Sequence, residues 1–422
     1  MANHRPSPAF IVCAVVAVAL SAAISHVPAK AQARPAISDA GTAAISRQLA
    51  ASVERGDTPG VVALVVGRDG VLYEGAAGKL DVGKSLPMPV NAIFNIASMT
   101  KPVTSVAIMM LLEEGKLQLD DPVSRYLPGF DALHVIATFN DVDGTYTTRP
   151  VRRAMTIRHL MAHTSGIGYG FTNPIVNRLQ RGVQKSEWEL PLLHDPGDRW
   201  TYSASTRVLG LIVEKITGVE LESWYQERIF RPLGMVDTSW AVAADKQSRV
   251  PTTHSRASGT LQEQPRTPIA SRPTPPFRGD GGLYSTVQDY GLFVRALLNG
   301  GRLGSTRLLT ERSVKMMGEN QIGSIAVELQ PDADPLRTKP FPLGAGRDKF
   351  GLGFQIASRD ERFAQFRSPG SLSWAGIFNT EFWIDQERRI GGVQMMQLLP
   401  FYDEGAIRTL RDFEALVYQH LR

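Results

Sequence analysis

The hydrophobic positions near both ends of the chain follow the pattern of β-strands. Residues 61–66 are an uninterrupted apolar run rich in β-branched side chains, which is typical of a buried strand. An Asp-Gly pair separates this run from apolar residues 71–73 and predicts a hairpin, because the turn needs positive φ. Residues 380–384 and 390–398 predict a second pair of strands, joined by a polar turn.

Helical spacing of apolar residues accounts for much of the remaining pattern. A helical stretch at 404–421 closes the chain, and residues 157–162, 208–217 and 221–229 predict helices in the middle. Strands from both ends with helices beside them fit a single antiparallel sheet. We therefore expect an α/β (α+β) fold in which an antiparallel sheet from both chain ends is flanked by helices and a mainly helical domain is inserted.

The expected domain boundaries follow from this arrangement. Residues 34–125 and 281–422 would form the discontinuous α/β domain, and residues 126–280 would form the inserted helical domain. Residues 251–276 contain six prolines, which predicts an extended crossing rather than a packed element.

The first 33 residues have the features of an export signal. A weakly basic start precedes the mostly apolar residues 10–23, and two A-x-A cleavage sites follow at 29–33. The apolar run is shorter than the ~20 residues of a spanning helix, so we expect no stable membrane anchor after cleavage. An uncleaved anchor is the alternative interpretation. The signal predicts a periplasmic or secreted protein.

Composition excludes several classes of protein. The chain has 422 residues, of which 43% are hydrophobic and 21% charged, as is ordinary for a globular protein. The formal net charge of +5 comes from scattered Lys and Arg residues, so we expect no nucleic-acid partner. The single cysteine, Cys13, lies in the predicted signal, so the mature chain would have no disulfide, thiol nucleophile or cysteine-bound zinc.

One segment has a pattern suited to nucleophilic catalysis. Residues 95–102 read Asn-Ile-Ala-Ser-Met-Thr-Lys-Pro, and apolar residues follow at helical spacing. Because proline is tolerated only in the first turn of a helix, Pro102 predicts that Ser98 lies at a helix N-terminus, with Lys101 on the same face. Burial and the positive helix end would lower the pKa of Lys101, which could then take the Ser98 proton. The S-x-x-K pattern alone is common, and a solvated lysine is the alternative.

Two further segments could complete such a site. Tyr202 lies just before an apolar helix, where a tyrosine is either a core anchor or a general base whose pKa nearby cations lower. Trp374, Gly376 and Ile377 lie in a glycine-bearing segment before the strand at 380. A backbone N–H at the end of this segment could complete an oxyanion hole with the helix N-terminus.

No sequence pattern indicates a metal or a cofactor. His159 and His163 lie four residues apart on a predicted helix, but residue 160 is not Glu and no third ligand is visible. We expect packing and capping roles for both. Asp120 and Asp121 precede a proline and favour a turn cap over a paired-carboxylate site. The sequence also contains no G-x-S-x-G nucleophile elbow.

Together these segments resemble the serine β-lactamase and penicillin-binding-protein superfamily, in particular class C β-lactamases and family VIII carboxylesterases. The resemblance implies that Ser98 is the acylated nucleophile and that Lys101 and Tyr202 accept its proton. It also implies an α/β domain from both chain ends, a helical domain, and a site between them. The likeness covers most of the mature chain and includes Gly-Lys-Leu-Gln-Leu-Asp-Asp-Pro-Val at 115–123, Thr-Ile-Arg-His-Leu-Met-Ala-His-Thr-Ser-Gly at 156–166, Pro-Leu-Gly-Met at 232–235 and Gly-Gly-Leu-Tyr-Ser-Thr at 281–286.

Two departures from the class C pattern bear on the substrate. The Tyr-x-Asn motif is replaced by Tyr202-Ser203-Ala204, which lacks the amide that would grip a β-lactam side chain or support Lys101. The Lys-Thr-Gly motif is replaced by Trp374-Ala375-Gly376, which lacks the cation that would pair with a β-lactam carboxylate. Family VIII esterases resemble this chain at the second motif, and tryptophan offers apolar area to an acyl or alcohol group.

The predicted function is therefore that of a serine hydrolase cleaving a small-molecule ester or amide, with carboxylic esters favoured, through an acyl-enzyme on Ser98. The backbone N–H groups of Ser98 and Ile377 would hold the oxyanion, beside Trp374 and Gly376. A β-lactamase, a D-Ala-D-Ala peptidase and a non-catalytic binder of cell-wall peptides are the alternatives. The acyl acceptor, water or alcohol, and the oligomeric state stay open.

Overall fold

The largest sheet of the protein is built from strands near both ends of the chain. The computed structural model describes residues 1–2, 34–256, 259–359 and 367–422. Most of the predicted export signal, with Cys13, lies outside these residues. The described strands are β1 (Gly60–Gly67), β2 (Val71–Asp81), β3 (Leu86–Pro87), β4 (Phe94–Asn95), β5 (His134–Phe139), β6 (Tyr146–Pro150), β7 (His254–Ser255), β8 (Gln262–Glu263), β9 (Tyr284–Ser285), β10 (Arg302–Leu303), β11 (Thr306–Arg307), β12 (Lys349–Phe350), β13 (Gln355–Ile356), β14 (Leu372–Gly376), β15 (Thr380–Asp385), β16 (Ile390–Met395) and β17 (Leu398–Leu399).

Helices cover this sheet and fill the middle of the chain. Those of the described residues are α1 (Asp39–Glu54), α2 (Thr100–Glu113), α3 (Ile157–Met161), α4 (Pro174–Gln180), α5 (Ser205–Thr217), α6 (Leu221–Tyr225), α7 (Arg231–Leu233), α8 (Val287–Leu298), α9 (Glu311–Met317) and α10 (Glu404–His420). None of them is both long enough and apolar enough to cross a bilayer.

The large sheet has eight strands in the order β12-β13-β14-β15-β16-β1-β2-β3, and its neighbouring strands run antiparallel. Every residue of β1 is buried because both faces of the sheet are covered. Alternate side chains of β1 enter two different cores, one on the side of α8 and one on the side of α1 and α10. The expected antiparallel sheet from both chain ends, flanked by helices, is confirmed.

The middle of the chain contains the three predicted helices as α3, α5 and α6, the last continuing into a π-helical turn at Gln226–Phe230. It also contains a hairpin of β5 and β6, which the hydrophobic pattern does not predict because most of its side chains are exposed. Contacts within Pro35–Arg422 group these residues as one compact unit. The division at residues 126 and 280 stays a prediction.

Candidate active site

Ser98 lies in a 3₁₀ turn, Ala97–Met99, that leads directly into α2. Ala97 has a left-handed backbone with φ of +43°, a conformation that costs a residue with a Cβ roughly 1 kcal/mol. Two hydrogen bonds hold the turn: the Ala97 N–H donates to Asn95 Oδ1 (3.0 Å), and Thr100 Oγ1 donates to the Ala97 carbonyl (2.7 Å). The chain therefore places Ser98 at the entrance to a buried helix.

Lys101 lies one turn further along, and its side chain points at Ser98. Its Nζ donates hydrogen bonds to Ser98 Oγ (3.1 Å) and to the Asp280 carbonyl (2.8 Å). The residue is 2% exposed, and this burial lowers the pKa of Lys101 to about 7, against a smaller opposing effect of the Asp280 carboxylate. Near neutral pH, a large share of Lys101 is therefore an uncharged amine that can accept a proton.

Tyr202 reaches the same hydroxyl from the loop before α5. Its phenol donates to Ser98 Oγ at 2.6 Å, and Lys101 Nζ lies 4.9 Å from the centre of its ring. The Tyr202 backbone N–H is held by Gln330 Oε1 at 3.1 Å. Burial raises the pKa of Tyr202 well above its ordinary value, despite the hydrogen bond with Ser98. At neutral pH Tyr202 is therefore a phenol that can relay protons, rather than a free phenolate base.

Strand β14 and the residue after it bring Trp374, Gly376 and Ile377 to the site. The ring centres of Trp374 and Tyr202 are 5.2 Å apart, and Ile377 lines the same cavity as the serine. A Cβ added at Gly376 would lie 2.3 Å from the Ile96 carbonyl oxygen, so glycine is what lets β14 lie this close to the serine turn. The structure thus brings the six predicted site residues together, while their roles stay predictions.

A cavity of about 740 Å³ opens onto Ser98. Its wall near the hydroxyl is aromatic and includes Tyr202, Trp374, Phe171 and Phe341. Phe341 packs edge-to-face on Tyr202, with 5.5 Å between ring centres. Apolar walls with a few polar groups are typical of small-molecule sites.

Asp280, which is not among the site residues predicted from the sequence, lies beside Lys101 with a fully buried carboxylate. It accepts hydrogen bonds from Tyr169 Oη (2.5 Å), from Arg207 Nε and Nη2 (3.0 Å each) and from Arg278 Nε (3.2 Å). Burial raises the pKa of this carboxyl, but Lys101 and the two arginines outweigh burial and hold it below its ordinary value. Its sequence signal is its position directly before the Gly-Gly pair at 281–282.

The two histidines with metal-ligand spacing have separate partners. His159 completes a capping box at the start of α3, where its Nδ1 accepts the backbone N–H of the N-cap residue at 3.1 Å. His163 Nδ1 lies 3.0 Å from Ser203 Oγ. Asp120 and Asp121 bind different arginines, which argues against a paired-carboxylate site. Within the described part of the chain, no three His, Cys, Asp or Glu side chains cluster as metal ligands do.

Comparison with known proteins finds one family and several relatives. Residues 45–417 match the family described as Beta-lactamase. The chain is 36% identical over 361 residues to an uncharacterized protein of Mycobacterium tuberculosis, covering 81% of this chain and 86% of the relative. It is 30% identical over 354 residues to the monacolin J acid methylbutanoyltransferase of Aspergillus terreus, covering 79% and 83%. It is 27% identical over 361 residues to the esterase EstB of Burkholderia gladioli, covering 78% and 83%.

Solved structures show the same fold. A mutant of the simvastatin synthase of Aspergillus terreus superimposes with a TM-score of 0.76 and 27% identity, covering 90% of this chain and 98% of that one. The proteins similar to this chain therefore include acyltransferases as well as an esterase.

Proposed function

Because this chain is a serine hydrolase of the beta-lactamase family, we propose that it cleaves carboxylic esters through an acyl-enzyme on Ser98. The observation that carries the proposal is the meeting of three side chains: Ser98 Oγ lies 3.1 Å from Lys101 Nζ and 2.6 Å from Tyr202 Oη. A serine hydroxyl becomes an effective nucleophile only when a base takes its proton. The uncharged fraction of Lys101 supplies that base.

Acylation would run through this trio. Ser98 Oγ bonds to the ester carbonyl carbon while its proton passes to Lys101, directly or by relay through Tyr202. The backbone N–H groups of Ser98 and Ile377 hold the carbonyl oxygen as it becomes an oxyanion. The intermediate then collapses, the C–O bond to the alcohol breaks, and the departing oxygen takes the proton back from Lys101 through Tyr202. Water repeats these steps on the acyl-enzyme and releases the acid.

Two features favour an ester over a β-lactam as the substrate. Trp374 packs on Tyr202, where the class C pattern supplies a lysine to bind the β-lactam carboxylate. Ala204 is fully buried and has no amide to hold an amide side chain of the substrate. The pocket beside Ser98 therefore offers apolar area to the substrate. It lacks the lysine and the amide of the class C pattern, each of which would contribute to β-lactam affinity.

An alcohol in place of water as the acyl acceptor is the second candidate. The methylbutanoyltransferase that is 30% identical to this chain moves an acyl group, and the cavity that opens onto Ser98 has an aromatic wall that an alcohol could contact. Hydrolysis and transfer share every step up to the acyl-enzyme. Product analysis with and without added alcohols separates the two reactions.

The test is a fluorophosphonate probe with p-nitrophenyl butyrate and nitrocefin as substrates. We expect the wild type to be labelled on Ser98 and to cleave the ester faster than the lactam. Ser98→Ala should lose labelling and turnover, whereas Ser305→Ala, on an exposed turn between β10 and β11, should keep both. Ester turnover by Ser98→Ala would exclude the proposal, and faster nitrocefin cleavage would favour the β-lactamase alternative.

We also propose that the mature chain acts in the periplasm or outside the cell, on the basis of the signal pattern at 1–33. Cell fractionation followed by N-terminal sequencing tests this. A chain that keeps residues 1–33 in the cytoplasm would contradict it.

A further inference from the structure

Behind the reacting trio lies a cluster of four ions centred on the buried Asp280, with Arg278 at its solvent-exposed edge. Arg207, on α5, chelates the Asp280 carboxylate through two nitrogens and donates from Nη1 to Glu187 at 3.2 Å. Arg278 binds the same two carboxylate oxygens through Nε and Nη2, at 3.2 and 3.3 Å. The Asp280 side chain is fully buried, and the Arg207 and Glu187 side chains are 18% and 14% exposed.

This cluster faces Lys101 together with three uncharged rings. Tyr169 and Tyr202 lie with their ring centres 5.3 and 4.9 Å from Lys101 Nζ, and burial raises the pKa of each phenol. His163, after α3, also faces Lys101, and burial together with the lysine charge lowers its pKa well below its usual value. These rings stay neutral across the working pH range, so the charge felt by Lys101 comes from Asp280, Glu187, Arg207 and Arg278.

The four ions cancel one another, because two carboxylates face two guanidiniums. The region is therefore electrically neutral when Lys101 is an amine and carries one uncompensated positive charge when Lys101 is an ammonium. An uncompensated charge in a buried region is unfavourable. Without Arg278 the cluster would carry one net negative charge, which would compensate the ammonium.

We propose that Arg207 and Arg278, by engaging Asp280, are positioning residues that keep Lys101 in its amine form as the base of the reaction. The inference rests on the proposed role of Lys101 in activating Ser98. Lys101 lacks the amide that the class C pattern would supply at Ala204, and the Asp280 carbonyl orients it instead, at 2.8 Å.

The test is the pH dependence of kcat/KM for p-nitrophenyl butyrate in Arg278→Gln, Arg278→Lys and Arg302→Gln. The Arg278 side chain is 55% exposed, so the fold should tolerate its replacement. The wild-type profile should fall below about pH 7, where Lys101 becomes protonated. Arg278→Gln removes one cation and should move this acid limb to higher pH by about 0.5–1 pH unit. On the acid side its kcat/KM should therefore be roughly three- to tenfold below that of the wild type. At pH 9 the two enzymes should have the same kcat/KM.

Arg278→Lys keeps the positive charge and should restore most of the wild-type profile. Arg302 is exposed on β10, so Arg302→Gln is the matched control and should not shift the acid limb of the pH profile. The proposal is overturned if the Arg278→Gln profile superimposes on the wild type, or if the loss is the same at every pH, as a purely structural effect would give. Failure of the proposed function looks different, because Ser98→Ala would then stay active or the profile would have no acid limb.

Discussion

Replacing Tyr202 by phenylalanine removes a single hydroxyl from the proposed relay. That hydroxyl donates to Ser98 Oγ at 2.6 Å, and Lys101 stays in place 3.1 Å from the same oxygen. The variant therefore keeps the nucleophile and the base and loses the group that carries protons between serine, lysine and leaving alcohol. Its effect measures the relay alone.

The expected rate loss in Tyr202→Phe follows from the catalytic groups that the variant keeps. A positioned acid–base group contributes about 10²–10⁴-fold to a rate. Because Lys101 still contacts Ser98, we expect the low end, about a 10²-fold fall in kcat/KM, equivalent to roughly 3 kcal/mol of transition-state stabilisation. The effect on folding should be much smaller, about 1 kcal/mol, which is the usual worth of one buried hydrogen bond.

The chain offers a matched control in Tyr225, another fully buried tyrosine. Its hydroxyl donates to Thr104 Oγ1 at 2.6 Å, so Tyr225→Phe loses a hydrogen bond of the same length away from Ser98. Stopped-flow acylation by p-nitrophenyl butyrate and thermal denaturation should be measured on both variants. We expect similar changes in stability and a large rate loss only in Tyr202→Phe. A rate within about threefold of wild type in that variant would refute the relay.

Two further predictions concern stability. Gly376→Ala would place a Cβ 2.3 Å from the Ile96 carbonyl oxygen, so denaturant unfolding should show a loss of about 1–3 kcal/mol together with lower activity. Gly70→Ala is the control: contrary to the expectation for an Asp-Gly turn, Gly70 does not have a positive φ, and an added Cβ would meet no neighbour within 4 Å. This variant should change stability and activity little, and equal losses in both variants would contradict the steric explanation. Hydrogen bonds from Arg149 lower the pKa of Asp195 to about 2, so its contribution to stability is present above about pH 4 and lost as pH falls towards 2. Asp195→Asn should therefore destabilise the protein at pH 7 by about 1 kcal/mol, since Arg149 is partly solvated, and the difference from wild type should shrink in unfolding curves recorded near pH 2. A difference that stays constant with pH would mean that charge is not the cause.

Much of the catalytic geometry could be predicted because it is local. Ser98 and Lys101 are three residues apart, and the spacing of an α-helix places such residues on one face whatever surrounds them. Pro102 restricts the register of that helix, and the structure begins α2 at Thr100. The β5–β6 hairpin was not predicted, because most of its side chains are exposed and its sequence therefore shows no alternation of apolar and polar residues.

Other residues of the site are distant from Ser98 in the sequence, and local spacing cannot predict that they lie beside it. Tyr202 is 104 residues from Ser98, and its motif could indicate a role but not a distance. Asp280 lies 179 residues from Lys101, and no spacing rule connects them. The same holds for the protonation states, because the pKa of a lysine or tyrosine depends on how fully water is removed from it.

The amino-acid sequence by itself determined the strands at both chain ends and the helix that carries Ser98 and Lys101, since these depend on periodicity and side-chain type. Tertiary structure alone decided that Lys101 is buried, that Tyr202 stays a phenol, and that Asp280 with its two arginines lies behind the base. The physical reason is that desolvation and charge balance are properties of the space around a group, and chain folding assembles that space from distant segments.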